Sequence, residues 1–138
     1  MNKTTFIGTI FSCLFVLSLL SCEKEDAAGD IRASLVGSWQ LASVEIDGNE
    51  ADLTAYPAFV RFQSNQLYQS YDGSTLVRGS WSYENGMLNI STDLPAAYYV
   101  EEVNSQTLSL KRKDFNTEGQ LSISIKHYQR ADNSQIPE

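Results

Sequence analysis

Residues 35–41 read LVGSWQL and residues 77–83 read VRGSWSY. In each, a glycine stands two positions before a tryptophan within an alternating apolar run. Side chains of an extended strand point to opposite faces in turn, so Gly37 shares a face with Trp39, and Gly79 with Trp81. Glycine leaves room beside the indole for another backbone or ring to come close. Such a pair suits the plugged end of a closed sheet. Two copies about forty residues apart do not make a propeller, which needs about four blades and a longer chain.

Outward from these stretches, the chain between Trp39 and Arg130 is a succession of short segments rich in Val, Ile, Tyr, Phe and Thr. In order they read SWQLASVEI, AFVRFQ, QLYQSYD, TLVRGSWSY, MLNIST, AYYVEEV, TLSLKRK and QLSISIKHYQR, eight candidate strands. Asp47-Gly48, Asp72-Gly73, Asn85-Gly86 and Glu118-Gly119 supply the positive-φ residues that tight hairpins demand. Short links imply sequential antiparallel pairing. Only GNEADLTAYP, residues 48–57, is long enough for a small helix or lid, which Pro57 would end.

Alternation assigns the buried faces. It sets Leu88 and Ile90 against Asn89, Leu108 and Leu110 against Ser109 and Lys111, and Leu121, Ile123 and Ile125 against Ser122, Ser124 and Lys126. In the first strand Trp39 and Leu41 fall on one parity and Val44 and Ile46 on the other, which predicts a bulge near Ala42 or Ser43. Eight such strands close into an up-and-down barrel or stack as a sandwich. Closure removes both edge strands, and the lack of a long crossover favours the barrel. The expected fold is all-β, a single eight-stranded antiparallel β-barrel over residues 31–130. A short helical turn in DIRASLV, residues 30–36, precedes it, with Asp30 as cap and Ile31, Leu35 and Val36 inward. Residues 131–138, ADNSQIPE, are expected to form a flexible tail.

The chain opens MNKTTFIGTIFSCLFVLSLLSCEKED: a positive Lys3, an apolar run, then abrupt charge. That is the pattern of an export signal, too short to span a membrane. Leu19-Leu20-Ser21-Cys22 resembles the bacterial lipobox, which implies removal of residues 1–21 and acylation, palmitate included, of Cys22. An ordinary secretory signal with an incidental cysteine is the alternative. Cys13 would leave with the signal, so the mature chain could form no disulfide and must rely on its core. More than one acyl chain makes such an anchor stable. The tract EKEDAAGD resembles the acidic segment behind the lipidated cysteine of Bacteroidota surface lipoproteins, and residues 22–30 read as a tether. The expected location is the outer membrane, lipid-anchored, with a surface-exposed orientation favoured over a periplasmic one.

A net charge of −7 opposes phosphate backbones and anionic membranes, and no basic stripe carries interleaved aromatics. No nucleic acid is expected as partner. His127 is the only histidine and has no second His or free Cys to complete a zinc site, so no metal or cofactor is expected. There is no Gly-x-Ser-x-Gly elbow and no phosphate-cradling loop, and Glu101 and Glu102, being adjacent, point to opposite faces. The chain is not expected to be an enzyme. What remains is aromatic. Phe62, Tyr71, Trp81, Tyr83 and Tyr99 form the candidate ligand-binding set, with Tyr68 and Tyr98 as further candidates for the interior or its mouth. Rings this large either fill an eight-stranded barrel or leave an apolar cavity in which tyrosine hydroxyls orient a small ligand. Parity does not decide Tyr68 against Tyr71, or Tyr98 against Tyr99.

With these residues in place, LVGSWQL after a helical turn resembles the Gly-x-Trp opening of lipocalins. The series LVGSWQLASVEIDG, VRFQSNQLYQSYDG, RGSWSYENGMLNI, YYVEEVNSQTLSL and IKHYQR is similar to the short lipocalin-like domains of Bacteroidota lipoproteins, over residues 31–130. The resemblance implies a first-strand motif at Gly37 and Trp39, a mid-barrel one at Gly79 and Trp81, and an Arg130 packed across the first indole. That stacking would contribute about 1 kcal/mol if partly desolvated. Thr92-Asp93-Leu94 departs from the family's Thr-Asp-Tyr. The implied role is non-catalytic binding, by a monomer, of a small hydrophobic molecule or glycan fragment. The alternative is a protein-interaction subunit or hydrolase inhibitor acting through rim loops GNEADLTAYP and DFNTEG.

Overall fold

The computed structural model describes residues 23–138; the expected signal, Cys13 and Cys22 lie outside the described residues. One helix, α1 (Glu23–Leu35), leads into β1 (Gly37–Ile46), β2 (Asn49–Asp52), β3 (Phe59–Phe62), β4 (Leu67–Tyr71) and β5 (Leu76–Glu84). Then follow β6 (Met87–Ser91), β7 (Ala96–Val103), β8 (Thr107–Phe115) and β9 (Leu121–Ala131). The sheet runs β2-β1-β3-β4-β5-β6-β7-β8-β9, and β1 also pairs with β9. Omitting β2, eight antiparallel strands close into a barrel.

β2 is the strand that sequence did not suggest. Asp47 and Gly48 take φ of 51° and 84°, a tight hairpin that folds NEAD back along the second half of β1, while β3 pairs with the first half. The Leu41 amide donates to the Ala58 carbonyl (2.8 Å) and the Leu53 amide to the Ala42 carbonyl (2.7 Å), stitching the two together. Residues 48–57 therefore hold a short strand and a turn in place of the expected helix or lid, because β1 offers a free edge there.

The closing seam runs from Ser38↔Ala131 to Ile46↔Ser124, with one register shift between Leu41 and Ser43. The bulge at Ala42 keeps Trp39, Leu41, Val44 and Ile46 on the inner face, as the slip in parity implies. On the other side of β9, Leu108 faces Tyr128 and Leu110 faces Lys126. Both leucines are buried, so Tyr128 and Lys126 point inward with them. This overturns the reading of the last strand. Leu121, Ile123 and Ile125 lie on the outside, Leu121 being 54% exposed, where Ile123 and Ile125 stand beside Lys113 and Lys111. A lysine stem is apolar for most of its length and fits an inner wall, so apolar alternation misleads here.

The two barrel ends differ. Beneath one lies α1: Leu35 and Trp39 are fully buried, Ile31 and Val36 pack against the core, and Arg32 Nη2 donates to the Tyr83 carbonyl at 2.8 Å. The Trp39 indole N–H donates to the Leu35 carbonyl (2.9 Å), fixing the helix end to the first strand. The helix begins at Glu23, so most of the segment read as a tether is helical. Docking of its last turn supplies the nucleus from which the helix extends backward.

The segment after β9 is docked as well. A 3-10 turn, Asn133–Gln135, is capped by Asp132, and Ile136 is buried. Arg61 on β3 donates to Ser38 Oγ (3.1 Å), Gln69 Oε1 (3.2 Å) and the carbonyls of Asn133 and Ile136. The expected flexible tail is thus corrected: one apolar anchor and one arginine satisfy it.

Candidate ligand cavity

Both Gly-x-Trp pairs brace the barrel wall. Gly37 has φ 135°, and a Cβ there would run into the Arg130 guanidinium. That guanidinium stacks 3.7 Å from the centre of the Trp39 ring. It also donates to the carbonyls of Val36 (2.9 Å), Ser34 (3.3 Å) and Ser105 (3.1 Å), so it caps the open carbonyls at the end of α1. Burial pulls its pKa below the usual arginine value. At Gly79 a Cβ would collide with the Ser91 backbone carbonyl. Trp81 meets Phe62 edge to face at 5.5 Å and donates from Nε1 to the Gln63 carbonyl (2.9 Å).

The opposite end is open. There a cavity of about 250 Å³ enters the barrel, its apolar walls made by Leu41, Val60, Phe62, Ile90 and Leu110. Tyr68, Tyr98, Tyr128 and Lys126 supply polar groups within it, and Ser70, Tyr71, Asp72 and Thr75 also line it. Burial pushes the phenols of Tyr68 and Tyr128 above the ordinary tyrosine value, and for Tyr128 the nearby phenols of Tyr68 and Tyr98 add to the shift. Both therefore stay protonated, as neutral hydrogen-bonding groups, at physiological pH. Lys126 Nζ donates to Tyr98 Oη at 3.4 Å and lies 5.5 Å from the centre of that ring. Asp72 accepts from the amides of Thr75 (2.7 Å) and Ser74 (2.9 Å), which holds its carboxyl below the usual aspartate value. A larger depression, about 580 Å³, lies outside the wall beside Arg61, Arg78 and Asn133.

The inside of this barrel has the small, largely apolar space, with a few convergent polar groups, that characterises ligand pockets. Residues 35–110, more than half of the chain, match the family described as the Lipocalin-like domain. The chain belongs to that family. No curated protein matches it in sequence. Among solved structures it is similar to bovine odorant binding protein complexed with its natural ligand, at 12% identity over 72% of both chains, TM-score 0.46. It is also similar to that protein with a selenium-containing odorant, at 11% identity over 73% of both chains, TM-score 0.46. Aphrodisin, a sex pheromone from female hamster, is similar at 13% identity, over 73% of this chain and 80% of that one, TM-score 0.41.

In this lipocalin-like barrel the sequence-derived candidates part company. Phe62 and Tyr71 line the cavity. Trp81 and Tyr83 are buried in the core and do not line it. Tyr99 is a correction: it is 45% exposed on the outer wall, 5.7 Å from Lys113 Nζ. Tyr98 pairs across from buried Leu88 and so takes the inner face, which sends Tyr99 out. Tyr68 points inward by the same logic, paired with Phe62, while half-buried Tyr71 sits at the mouth with its hydroxyl on the Gly73 carbonyl (2.7 Å). Sequence reasoning missed Lys126 and Tyr128 altogether.

One other constellation has the outline of a catalytic set. Ser109 Oγ lies 3.0 Å from His127 Nδ1, and His127 Nε2 lies 3.8 Å from Glu45 Oε2. Ser109 is in cross-strand register with His127, and Glu45, whose partner is Ile125, lies diagonally across from it; none of the three lines the cavity. A sheet exterior offers such a serine neither a cleft nor aimed amides for an oxyanion. Among the described residues no group of His, Cys, Asp and Glu is arranged to hold a metal.

Proposed function

We propose that this lipocalin-like barrel is a non-catalytic binder of a small hydrophobic molecule, held at the outer membrane by lipid on Cys22. The observation that carries the reading is the open-end cavity, with eight apolar side chains and four tyrosines around it. A glycan fragment would bring more hydroxyls than these walls can satisfy, and unpaired polar groups are costly where water is excluded. The anchoring half of the proposal rests on the apolar run and Leu19-Leu20-Ser21-Cys22. The acidic segment behind Cys22 favours the outer face of that membrane.

Native mass spectrometry of the full chain, released in mild detergent from its own host, tests the binding half. Added mass of a small organic molecule, lost on solvent extraction, is expected; its repeated absence counts against the reading. Palmitate labelling and membrane fractionation test the anchor: Cys22→Ser should lose label and appear in the soluble fraction, and unchanged labelling would refute it.

A second reading, docking of a protein partner on the rim, is favoured by exposed apolar side chains. Tyr56 and Leu94, on links, and Phe115, at the end of β8, are 63%, 86% and 76% exposed. A partner that co-purifies with the wild type and is lost in Tyr56→Ser with Phe115→Ser, in a variant that keeps its small molecule, would establish it.

A further inference from the structure

Among the residues lining the cavity, Lys126 is the only base and Asp72 the only acid. Asp72 is occupied: its Oδ1 accepts from Ser74, amide and hydroxyl, and from the Thr75 amide. The other acids on neighbouring strands are engaged elsewhere. Glu101 pairs with Lys111 at 2.7 Å on the outer wall; Asp114, although beside Tyr98 through Arg112, is taken up by that arginine at 2.7 Å. None of the ion pairs among the described residues includes Lys126. Its same-face neighbours in register are Leu110 on β8 and Val44 on β1, both apolar, and its hydrogen-bond partner is the Tyr98 hydroxyl. A chain of net charge −7 has therefore turned one ammonium into an apolar-walled space without pairing it to a carboxylate. Such a group is favourable only while water or an incoming anion satisfies it.

We infer that the molecule this barrel takes is an amphipath whose acidic head, a carboxylate or similarly compact monoanion, docks on Lys126 and the Tyr98 hydroxyl. The inference rests on the binding role proposed above. The apolar body of the ligand lies against Leu41, Val60 and Ile90. A charge-assisted hydrogen bond from an ammonium is stronger than a neutral one, and Lys126 discriminates an acid from the alcohol of the same shape. The cavity volume limits the ligand to one short chain or a single ring.

The test is calorimetric titration of the purified protein at pH 7.5 with matched probes: octanoate against 1-octanol, and 3-phenylpropionate against 3-phenylpropanol. The acid of a pair should bind about tenfold more tightly than its alcohol. Lys126→Met should bring that ratio close to one, and Lys126→Arg should keep it. Tyr98→Phe, which retains the ring, should lower the ratio severalfold and serves if Lys126→Met does not fold. Alcohols bound as tightly as acids would overturn the acidic head while leaving the binding role standing. An acid preference undiminished in Lys126→Met would overturn the assignment to Lys126. Failure of every probe, together with no added mass on host-purified protein, would remove the binding role and this inference with it.

Discussion

Replacing Arg130 with methionine keeps an aliphatic stem over Trp39 and removes the charged fork. The guanidinium 3.7 Å from the indole centre contributes about 1–2 kcal/mol when partly desolvated. Its bonds to the carbonyls of Val36, Ser34 and Ser105 add about 0.5 kcal/mol each, a low value because half-exposed carbonyls regain water. The sum is about 3 kcal/mol, which for a domain of this size corresponds to a fall in Tm of roughly 10–15 °C. Urea melts followed by tryptophan fluorescence and by circular dichroism measure it, with an unchanged slope showing that the unfolded state is not altered. Arg130→Lys keeps the charge without the fork and should fall between. Gly37→Ala supplies the decisive control: its Cβ would occupy the guanidinium's place, so part of its cost vanishes once Arg130 is gone. The double variant should therefore be more stable than additivity requires, by about 1 kcal/mol. An Arg130→Met variant within about 0.5 kcal/mol of wild type, or strict additivity with Gly37→Ala, would refute the account of this end of the barrel.

Gly79→Ala drives a methyl into the Ser91 backbone carbonyl and should cost about 2–3 kcal/mol in a chemical melt, whereas Gly86→Ala, with open space around it and only a positive φ against it, should cost less. Leu110→Ala should cost about 3 kcal/mol by enlarging the cavity and should change probe affinity; Tyr99→Ser on the outer wall should alter stability by no more than about 0.5 kcal/mol and leave titrations unchanged. Because Tyr68 and Tyr128 keep their protons above the ordinary phenol value, the unfolded chain loses protons above about pH 10 that the fold retains. Their contribution is complete below about pH 10 and declines as pH rises, by about 1.4 kcal/mol per unit for each phenol. Alkaline melts should show that slope, and Tyr128→Phe should reduce it.

Eight strands, the plugged end and the bulge at Ala42 were legible because each leaves a local signature: alternation, Gly-x-Trp, and a slip of parity between Leu41 and Val44. The turns at Asp47-Gly48 and Asn85-Gly86 were legible for the same reason, and all four residues take positive φ. β2 was not, since NEAD contains no strand former; its extended form is imposed by the hairpin and by the free edge of β1. The last strand carried two incompatible signals. Leu121, Ile123 and Ile125 lie on odd positions, while an Arg130 stacked on Trp39 fixes the inner face to even ones. Period-two geometry along an unbroken strand outweighs apolar character, and taking Arg130 as the reference would have placed Tyr128 and Lys126 inside. Tyr98 and Tyr99 could be told apart only through pairing with Leu88, a long-range fact. The docking of Ile136 was not legible, because the Arg61 that holds its carbonyl stands on β3, far away in sequence.

Isotope-filtered NOE spectroscopy of methyl-labelled protein saturated with unlabelled octanoate locates the ligand directly. The chain protons of octanoate should contact the methyls of Leu110, Val60 and Ile90 and the rings of Tyr98 and Tyr128, with no contact to Trp81 or Leu35. Contacts confined to Tyr99, Phe115 or the indoles would put the ligand outside the open-end cavity and contradict the central claim.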